Sequence, residues 1–471
     1  MTSPFTRLRG RWHSAESDDS FNRRLIPPMI LGSVLNPVNS SMIAVALIPI
    51  GIALGAPPSE TAWLVSGLYL ATAIGQPVVG RLVDVYGPRR LYLMGTALVG
   101  LAGILGVVAP NVGVLVAARV LLGFGTCAGY PAAMSLIRSE STRTGRDSPN
   151  AILTLLTIAA QTIAVVGPTL GGLLIGLGGW RATFTINIPL AIACLVLGAR
   201  RLPRAPAAAR PETSLTSRID LAGIVLFAVT LVSLLLFLTT PQLSHAYLLA
   251  IAVVAAACLG WWELRAATPF IDLRVLGGNL PLLATFARTL LTAIVSYTYL
   301  YGYTQWLEQG RGLSPTAAGL ALTPTFIVGI LVAAVSGRRT EVRGKLIVGS
   351  IAQIVAAAAL LLLGSQSPIL LLLAVAVVLG IPQGLNNLAN QNAMYHQADP
   401  TRTGSTAGLS RTFFYLGAIT AAAANGAFLA HGADTSGLHH LVWFIGPCAV
   451  VFLVLTLADR SLRRIGGSHT P

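Results

Sequence analysis

Four amides occupy positions i, i+3, i+4 and i+7 of one apolar stretch of the chain, at Gln383, Asn386, Asn387 and Asn390. This spacing places the four side chains on one face of a helix. Polar side chains are costly in a helix that crosses a membrane, so this face is expected to line a water-filled cavity or to contact protein. The chemistry that suits it is hydrogen bonding to a ligand. Hydrogen bonding between helices, without a ligand, is the alternative.

Three arginines lie deep inside other apolar stretches, where an arginine costs roughly 2.5 to 3.5 kcal/mol unless it is paired or hydrated. Arg119 is expected to be hydrated in the cavity, whereas Arg288 and Arg411 have the alternative of extending to the nearer interface. With further amides and a tyrosine they complete the predicted ligand-binding cavity. Its candidates are Asn36, Asn39, Arg119, Gln161, Arg288, Tyr297, Gln383, Asn386, Asn387, Asn390 and Arg411.

Motifs for other chemistry are missing from the sequence. The four cysteines stand singly in apolar stretches, and the seven histidines form no metal-ligand pattern. Neither a phosphate-binding GxxxxGK[ST] loop nor a GxSxG nucleophile motif occurs. The sequence therefore predicts no enzyme activity, no metal site and no cofactor.

The elements that carry the polar residues are predicted to be membrane helices. Hydrophobic residues make up 54% of the 471 residues and charged residues only 10%, and the mean hydropathy is +0.74. Soluble domains carry about 25% charged residues, so this composition excludes a soluble protein. Stretches long enough to cross a hydrocarbon core of about 30 Å lie at approximately 28–54, 61–80, 91–110, 112–137, 151–178, 182–199, 219–240, 244–266, 280–306, 315–336, 346–365, 368–394, 405–430 and 438–458.

The basic residues are distributed very unevenly over this map. Of the 31 lysines and arginines, 26 fall on the side of the N-terminus, two on the other side, and three inside the stretches. Because positive charge stays in the cytoplasm, both termini are expected there, in a multi-pass protein of the plasma (inner) membrane. Anionic lipid headgroups account for the net charge of +15. No nucleic-acid partner is expected.

An internal repeat divides the chain into two halves. The segment GRLVDVYGPRR at 80–90 matches GRRTEVRGKL at 337–346 at an offset of 257 residues, and TRTG at 142–145 recurs at 401–404. Parallel six-helix halves of this kind are found in transporters of the major facilitator type. The stretches at 219–240 and 244–266 then form an extra hairpin between the halves.

The predicted fold is an all-α polytopic membrane protein of fourteen transmembrane helices, in which two six-helix bundles flank the hairpin. A monomer is expected. The predicted divisions are a cytoplasmic tail at 1–27, a first bundle at 28–202, a cytoplasmic linker at 203–218, the hairpin at 219–266, a second bundle at 267–458 and a cytoplasmic tail at 459–471.

Glycine-rich motifs suggest moving parts. In the repeated loop, glycines permit a tight turn and an acid can cap a helix or pair with arginine, which predicts a cytoplasmic gate of Gly80, Asp84, Gly87, Arg89, Arg90 and Glu341. Anchoring of the topology by arginine is the alternative. In the fifth stretch, glycines allow close helix approach and a proline allows a kink. We therefore predict a hinge at Gly167, Pro168, Gly171 and Gly172, with static packing as the alternative.

Several segments resemble the fourteen-span drug:proton antiporters of the EmrB/QacA type, within the major facilitator superfamily. The loop GRLVDVYGPRR resembles the superfamily signature between spans 2 and 3, and GPTLGG at 167–172 resembles the antiporter motif of span 5. WLVSGLYLATAIGQP at 63–77, GWRATFTINIP at 179–189 and YTQWLEQGRGLSPTAAG at 303–319 are also similar to that family. The resemblance implies export of small amphipathic molecules by alternating access, coupled to protons.

The chain departs from that family where the proton carrier is expected. Asn39 stands in place of an acid in the first span, and Leu122 replaces the glutamine of the RxxQG pattern in the fourth. None of the 16 acids lies deep in a span. The alternative is a facilitator or exchanger for an organic anion or a lipid-like substrate, without proton coupling. A membrane scaffold or sensor that transports nothing is a third possibility. The row of four amides from Gln383 to Asn390, which we call the amide stripe, argues against it.

Overall fold

The structure is a computed structural model that describes residues 21–465 apart from 57, 62, 146–149, 205–219, 240–241, 267–268, 272, 314 and 430–432. The described residues form helices and no strands. The long helices are α1 Ile26–Leu54, α2 Trp63–Tyr86, α3 Pro88–Val108, α4 Val112–Thr144, α5 Asn150–Gly178, α6 Ala182–Arg201, α7 Leu221–Thr239, α8 Ala246–Glu263, α9 Leu280–Leu307, α10 Pro315–Ser336, α11 Arg343–Leu360, α12 Ile369–Gln397, α13 Thr403–Phe428 and α14 Thr435–Ala458.

The all-α polytopic architecture is confirmed over the described residues. Eleven helices are long and apolar enough to cross a membrane, and the bent helix α1 makes twelve. The remaining two, α5 and α13, lie where the fifth and thirteenth spans are predicted. A count of fourteen membrane spans stays a prediction.

Local sequence explains where several helices begin and bend. Gly87 adopts a left-handed φ of 85° between α2 and α3, which an L side chain would resist, and Pro88 then starts α3. Asn111 caps α4 by accepting a hydrogen bond from the Val114 amide at 3.0 Å. Helix α1 has two prolines in its interior, Pro37 and Pro49, and bends by 53° between Ile43 and Val45.

Two helical bundles face each other across the molecule. Helices α1 to α6 form the first half and α9 to α14 the second, and the halves meet mainly where α2 packs along α13 and α5 along α10. We call the side that carries the α2–α3, α10–α11 and α12–α13 connections the basic side, because most arginines lie there. The positive-inside rule predicts that it faces the cytoplasm.

The hairpin of α7 and α8 lies over one edge of the contact between the halves. Helix α7 packs against α2 and α13, with Phe227 and Leu231 in one apolar cluster with Tyr415. Helix α8 packs on α7, and much of its surface is exposed. At the basic side, the Glu263 carboxylate accepts a hydrogen bond from the Ile271 amide at 3.2 Å and so fixes the segment that leads to α9.

The chain ends differ in part from the predicted divisions. Asp459 and Leu462 are buried against the second bundle, although 459–471 is predicted to be a tail. The reason is local, because Asp459 forms a buried ion pair with that bundle. Residues 1–20, most of the predicted linker 203–218, and 466–471 lie outside the described residues.

Candidate functional site

Aromatic side chains from both halves meet near the middle of the helices. The ring centroids of Tyr69 and Tyr415 are 5.8 Å apart, and those of Tyr297 and Phe414 are 5.6 Å apart. Contacts of this length allow tilted or edge-to-face packing. We call the group the central cluster; its members are Tyr69 of α2, Tyr130 of α4, Tyr297 and Tyr301 of α9, and Arg411, Phe414 and Tyr415 of α13.

Arg411 is the cation of the central cluster. Its guanidinium carbon lies 3.9 Å from the centroid of the Tyr130 ring and 5.7 Å from that of Phe414. Among the described residues, no carboxylate lies within ion-pair distance of this half-buried group. Arg411 therefore stacks on aromatic rings instead of extending to the interface, and its place in a ligand-binding cavity stays a prediction. A half-buried guanidinium on aromatic rings can bind an anion or stack on a planar ligand.

The geometry of α9 decides which of its tyrosines reach the central cluster. A π-helical turn spans Tyr299–Tyr303, and such turns are frequent at functional sites. Tyr297 and Tyr301 contact each other at 5.6 Å on the side of the cluster. Tyr299 and Tyr303 stack at 4.9 Å and are buried in the second bundle. The predicted residue Tyr297 is thus joined by Tyr301.

Asn36 lies beside the central cluster and connects the two halves. Its amide nitrogen donates to the Thr126 hydroxyl at 3.0 Å and is 3.4 Å from that of Thr72. The Tyr415 hydroxyl donates to the Asn36 amide oxygen at 3.0 Å. Both the nitrogen and the oxygen of the Asn36 amide are therefore hydrogen-bonded to protein. Among the described residues, Tyr415 is the only partner from the second half.

Asn39 and Arg119 lie deeper in the first half and support each other. Asn39 exchanges hydrogen bonds of 2.7 and 2.9 Å with the side chain of Asn187 on α6. Arg119 is 2% exposed and donates to the Leu64 carbonyl at 2.8 Å and to the Asn39 carbonyl at 3.2 Å. The prediction placed Arg119 in a hydrated cavity, whereas two backbone carbonyls hold it here. These contacts tie α1, α2, α4 and α6 together.

Replacing Asn39 by alanine is expected to lower the free energy of unfolding by about 1 to 3 kcal/mol, because the buried Asn187 amide oxygen loses its donor while the nitrogen keeps only the Phe184 carbonyl, at 3.3 Å. The Asn39→Ala, Asn187→Ala double variant should recover part of that loss. Denaturant unfolding of the purified protein measures both. A change in substrate affinity at unchanged stability would instead indicate that Asn39 lines the predicted cavity.

The amide stripe of α12 is divided among several neighbours instead of facing one cavity. Asn386 is fully buried against Gly349 of α11, where the position of a β-carbon would lie 1.9 Å from its amide oxygen. Asn390 is 3.4 Å from the Thr292 hydroxyl of α9. Gln383 and Asn387 are half-buried. Asn386 and Asn390 therefore lie at contacts with other helices, although both amide atoms of Asn386 are buried without a hydrogen-bond partner among the described residues.

The Gln161 side chain of α5 connects the two halves next to the amide stripe of α12. Its side-chain nitrogen is 3.4 Å from the backbone carbonyl of Gln383, so that α5 and α12 are linked. A contact of this length is a weak hydrogen bond. Gln161 and Gln383 therefore lie at the interface that alternating access would have to open.

Arg288 does not belong to the central cluster. It is fully buried and forms an ion pair of 3.0 Å with Asp459, at the end of α14. The Thr285 hydroxyl accepts a second hydrogen bond from it at 2.6 Å. Its role in the structure is therefore to connect α9 with α14. The sequence predicts that Arg288 either lines the cavity or extends to the membrane interface, and neither prediction includes this ion pair.

The basic side is closed by a capping contact between the halves. The Asp84 carboxylate, near the end of α2, accepts hydrogen bonds from the Gly404 amide at 2.8 Å and the Ser405 amide at 2.7 Å. It also accepts one from the Ser405 hydroxyl at 2.5 Å. These groups form the first turn of α13, where a negative charge is favourable. We call this contact the Asp84 cap.

Close helix approach makes the Asp84 cap possible. A β-carbon on Gly80 would lie 2.4 Å from the Gly404 carbonyl oxygen, so that any larger residue would separate α2 from α13. On the neighbouring helix pair, Arg138 of α4 donates to the Tyr395 carbonyl of α12 at 2.8 Å. Its guanidinium carbon also lies 4.3 Å from the centre of the Tyr395 ring.

The other predicted gate residues do not bridge the halves. Gly87 makes the turn before α3, and Arg89 donates to the Ala199 carbonyl within the first half at 2.9 Å. Arg90 and Glu341 are exposed, and neither has a hydrogen-bond partner among the described residues. The two copies of the repeated loop therefore differ. The first makes hydrogen bonds to the other half, whereas the second packs against it, since a β-carbon on Gly337 would lie 2.1 Å from the Thr154 hydroxyl of α5.

The predicted hinge glycines contact α1 within the first half. A β-carbon would lie 1.8 Å from the Ser41 hydroxyl at Gly167 and 2.8 Å from Val45 at Gly171. Gly172 has open space around it, and the side chain of Pro168 lies outside the described part. Close packing explains two of the glycines, and a hinge stays a prediction.

Sequence reasoning missed most of the aromatic part of the central cluster. Tyr69, Tyr130, Phe414 and Tyr415 were not among the candidates, because an aromatic ring in an apolar helix carries no hydropathy signal. The sequence RTFFY at 411–415 places an arginine beside three aromatics. That combination was the one available signal.

Comparison with known proteins agrees with the two-bundle structure. The family described as Major Facilitator Superfamily matches residues 29–422. The uncharacterized MFS-type transporter YwoD of Bacillus subtilis (strain 168) is 32% identical over 392 residues, covering 82% of this chain and 86% of that protein. The lincomycin resistance protein of Streptomyces lincolnensis is 32% identical over 334 residues, covering 69% of this chain and 66% of that one.

A solved structure is similar over nearly the full length. The proton:xylose symporter XylE, bound to 6-bromo-6-deoxy-D-glucose, aligns with a TM-score of 0.66 at 12% identity and covers 94% of this chain and 96% of that one. At this identity the likeness is one of fold alone.

Proposed function

The chain belongs to the major facilitator superfamily, and from that premise we propose that it exports small amphipathic molecules by alternating access, with the central cluster as the substrate site. It is a multi-pass membrane transporter of this superfamily and not an enzyme. The observation that carries the proposal is the position of the central cluster, which takes side chains from α2 and α4 of the first half and from α9 and α13 of the second. A ligand there contacts both halves, as alternating access requires.

The pattern of contacts between the halves supports the same proposal. Among the described residues, their hydrogen bonds lie at the basic side, as in the Asp84 cap, or near the middle, as between Tyr415 and Asn36. The conformation is therefore held closed on one side. A lincomycin resistance protein among the relatives supports an outward direction of transport. With the basic side in the cytoplasm of the plasma membrane, this closure leads a bound substrate outward.

Proton coupling is the mode of energisation that we propose by family resemblance. An uncoupled organic-anion facilitator or exchanger is the second candidate, and one observation favours it. Among the described residues, neither Arg119 nor Arg411 has a carboxylate within ion-pair distance. A site with the Arg411 cation and no acid beside it is better suited to anionic or neutral substrates than to cations.

Transport by reconstituted protein distinguishes the two candidates. Proteoliposomes with an imposed pH gradient would be loaded with ethidium, an aromatic cation, or with fluorescein, an aromatic anion. A coupled exporter moves its substrate against a concentration gradient only while the pH gradient lasts. A facilitator equilibrates fluorescein without the gradient and ignores ethidium. Absence of any movement of either dye, or of a wider set of amphiphiles, would support a sensor or scaffold instead.

Replacing Arg411 by glutamine is expected to lower the rate of fluorescein transport by at least about tenfold. A hydrogen bond to a charged group is worth about 1.5 to 3 kcal/mol, and 1.4 kcal/mol corresponds to tenfold in affinity. Arg411→Lys should keep part of the activity because it retains charge without the flat stacking surface. Arg339→Gln, an exposed arginine, serves as the control. Unchanged fluorescein transport by Arg411→Gln would show that Arg411 does not contribute to substrate binding.

A further inference from the structure

A cavity distinct from the central cluster lies beside the Asp84 cap at the basic side. Its volume is about 210 Å³. Its walls come from α2, from the segment between α8 and α9, from the start of α9, and from the connection of α12 with α13. Ser405, which donates to Asp84, is one of the lining residues. We call it the basic-side cavity.

The basic-side cavity is amphipathic. Phe270, Phe286 and Leu409 are buried residues that give it an apolar floor. Arg81 of the first half and Arg402 of the second are half-buried and line the same space. Two cations over an apolar floor suit an anionic head that continues into a hydrocarbon chain.

One acid also lines the basic-side cavity, and it does not cancel both arginines. The Asp399 carboxylate accepts hydrogen bonds from the Thr401 hydroxyl at 2.7 Å and the Thr401 amide at 2.8 Å. These bonds hold the pKa of Asp399 below its usual value, so it stays an anion at neutral pH. Both bonds go to one Asp399 oxygen, and Arg402 faces this carboxylate. The cavity walls carry two arginines against this one lining acid, a net charge of +1.

We propose that the basic-side cavity binds single-chain anionic amphiphiles, with a carboxylate or phosphate head between Arg81 and Arg402 and the first part of the chain on Phe270 and Phe286. Drug-sized ligands occupy about 300 to 1,000 Å³, so this smaller cavity accepts a head and a few methylene groups. The remainder of the chain extends toward the membrane.

The occupant stabilises the closed basic side. It touches α2 and α13, which carry the two partners of the Asp84 cap, and these helices have to separate when that side opens. A ligand that binds one conformation better shifts the population toward it. The inferred site is therefore regulatory and goes beyond the proposed export function, since bound amphiphile slows the cycle whatever the transported substrate is.

Equilibrium binding to the full chain in an uncharged detergent tests the site. The probes are radiolabelled laurate, dodecyltrimethylammonium with the same chain and the opposite charge, and inorganic phosphate as a head without a chain. We expect saturable binding of laurate alone. The Arg81→Gln, Arg402→Gln variant should bind laurate at least about tenfold more weakly, and Arg339→Gln should bind it as the parent protein does. Equal binding by the double variant would overturn the proposal.

A second variant shows whether a loss of laurate binding comes from the cavity itself or from a folding defect. Thr406 lines the basic-side cavity, and its hydroxyl donates to the carbonyl of Arg402, the residue just before α13, at 2.9 Å. Thr406→Leu keeps both arginines and fills the space, so it should also lose laurate binding while its thermal unfolding stays that of the parent. A stable Thr406→Leu protein that binds laurate normally would place the ligand elsewhere.

The effect on conformation and the source of the amphiphile are measured separately. Spin labels at 90 and 401, two exposed positions of different halves, report the separation at the basic side. We expect laurate to increase the population with the short distance, and no change would refute the regulatory role. Native mass spectrometry of protein from membranes reveals a retained phospholipid, which the double arginine variant should lose. If only added laurate binds, the ligand is a free amphiphile and not a membrane lipid.

Discussion

Asp84→Asn is expected to open the basic side and to lower the rate of transport by roughly 30-fold or more. The Asp84 carboxylate accepts three hydrogen bonds from Gly404 and Ser405, at 2.5 to 2.8 Å. Each hydrogen bond to a charged group is worth about 1.5 to 3 kcal/mol. Asparagine keeps one acceptor but places an amide nitrogen against a donor. A loss of about 2 to 3 kcal/mol shifts the ratio of closed to open protein by roughly 30- to 150-fold.

The test for Asp84 compares two acids of the repeated loop. Transport rates in proteoliposomes and spin-label distances across the basic side would be measured for Asp84→Asn and for Glu341→Gln. Glu341 is the repeat counterpart, but it is exposed and bonds to no described residue, so its replacement is expected to change neither quantity. Equal losses in the two variants would show that charge in the loops matters and that the Asp84 cap does not.

Asp459→Asn is expected to lower the free energy of unfolding by about 3 to 5 kcal/mol. The Arg288 side chain is fully buried and that of Asp459 is 4% exposed, and their ion pair measures 3.0 Å. Removing one partner of a buried pair leaves an uncompensated charge in a medium that solvates it poorly, which accounts for a loss of this size. Asparagine can still accept from the Ser461 amide and hydroxyl, so the loss reports the contact with Arg288 and not the local turn.

The control for the ion pair removes both charges. Arg288→Met combined with Asp459→Asn should recover most of the stability in a denaturant or thermal unfolding assay, because no unpaired charge remains. Transport per folded molecule should then resemble that of the parent. If Asp459→Asn were as stable as the parent and transport nonetheless fell, Arg288 would belong to the substrate path, as its depth in an apolar stretch first indicated.

The parts of the fold that depend on local pattern could be predicted from the sequence. Apolar length and arginine placement predict helices and a basic side, and the repeat of the GRLVDVYGPRR loop and of TRTG predicts two similar halves. The same repeat marks both partners of the Asp84 cap, since Gly404 is the last residue of the second TRTG. Their contact was not predicted, because it joins positions 320 residues apart and depends on how the halves dock.

The candidate site could be predicted only in part, for a similar reason. Depth in an apolar stretch identifies a buried polar residue without identifying its neighbours. Arg411, Arg119 and Arg288 share that depth, yet they stack on an aromatic ring, bind backbone carbonyls and pair with an acid, respectively. The acid for Arg288 comes from a segment predicted to be a tail. Such pairings are set by tertiary packing, which hydropathy does not report.

The hairpin of α7 and α8 covers one of the two lines of contact between the halves. The halves meet along two lines, α2 with α13 and α5 with α10, and each line is a potential slot through which a molecule dissolved in the lipid reaches the middle. Helix α7 lies on the first line. Among the described residues, neither helix of the hairpin packs extensively on α5 or α10, which form the second. If the chain exports molecules as we propose, we therefore expect lateral entry from the bilayer at the slot between α5 and α10, where Gln161 lies.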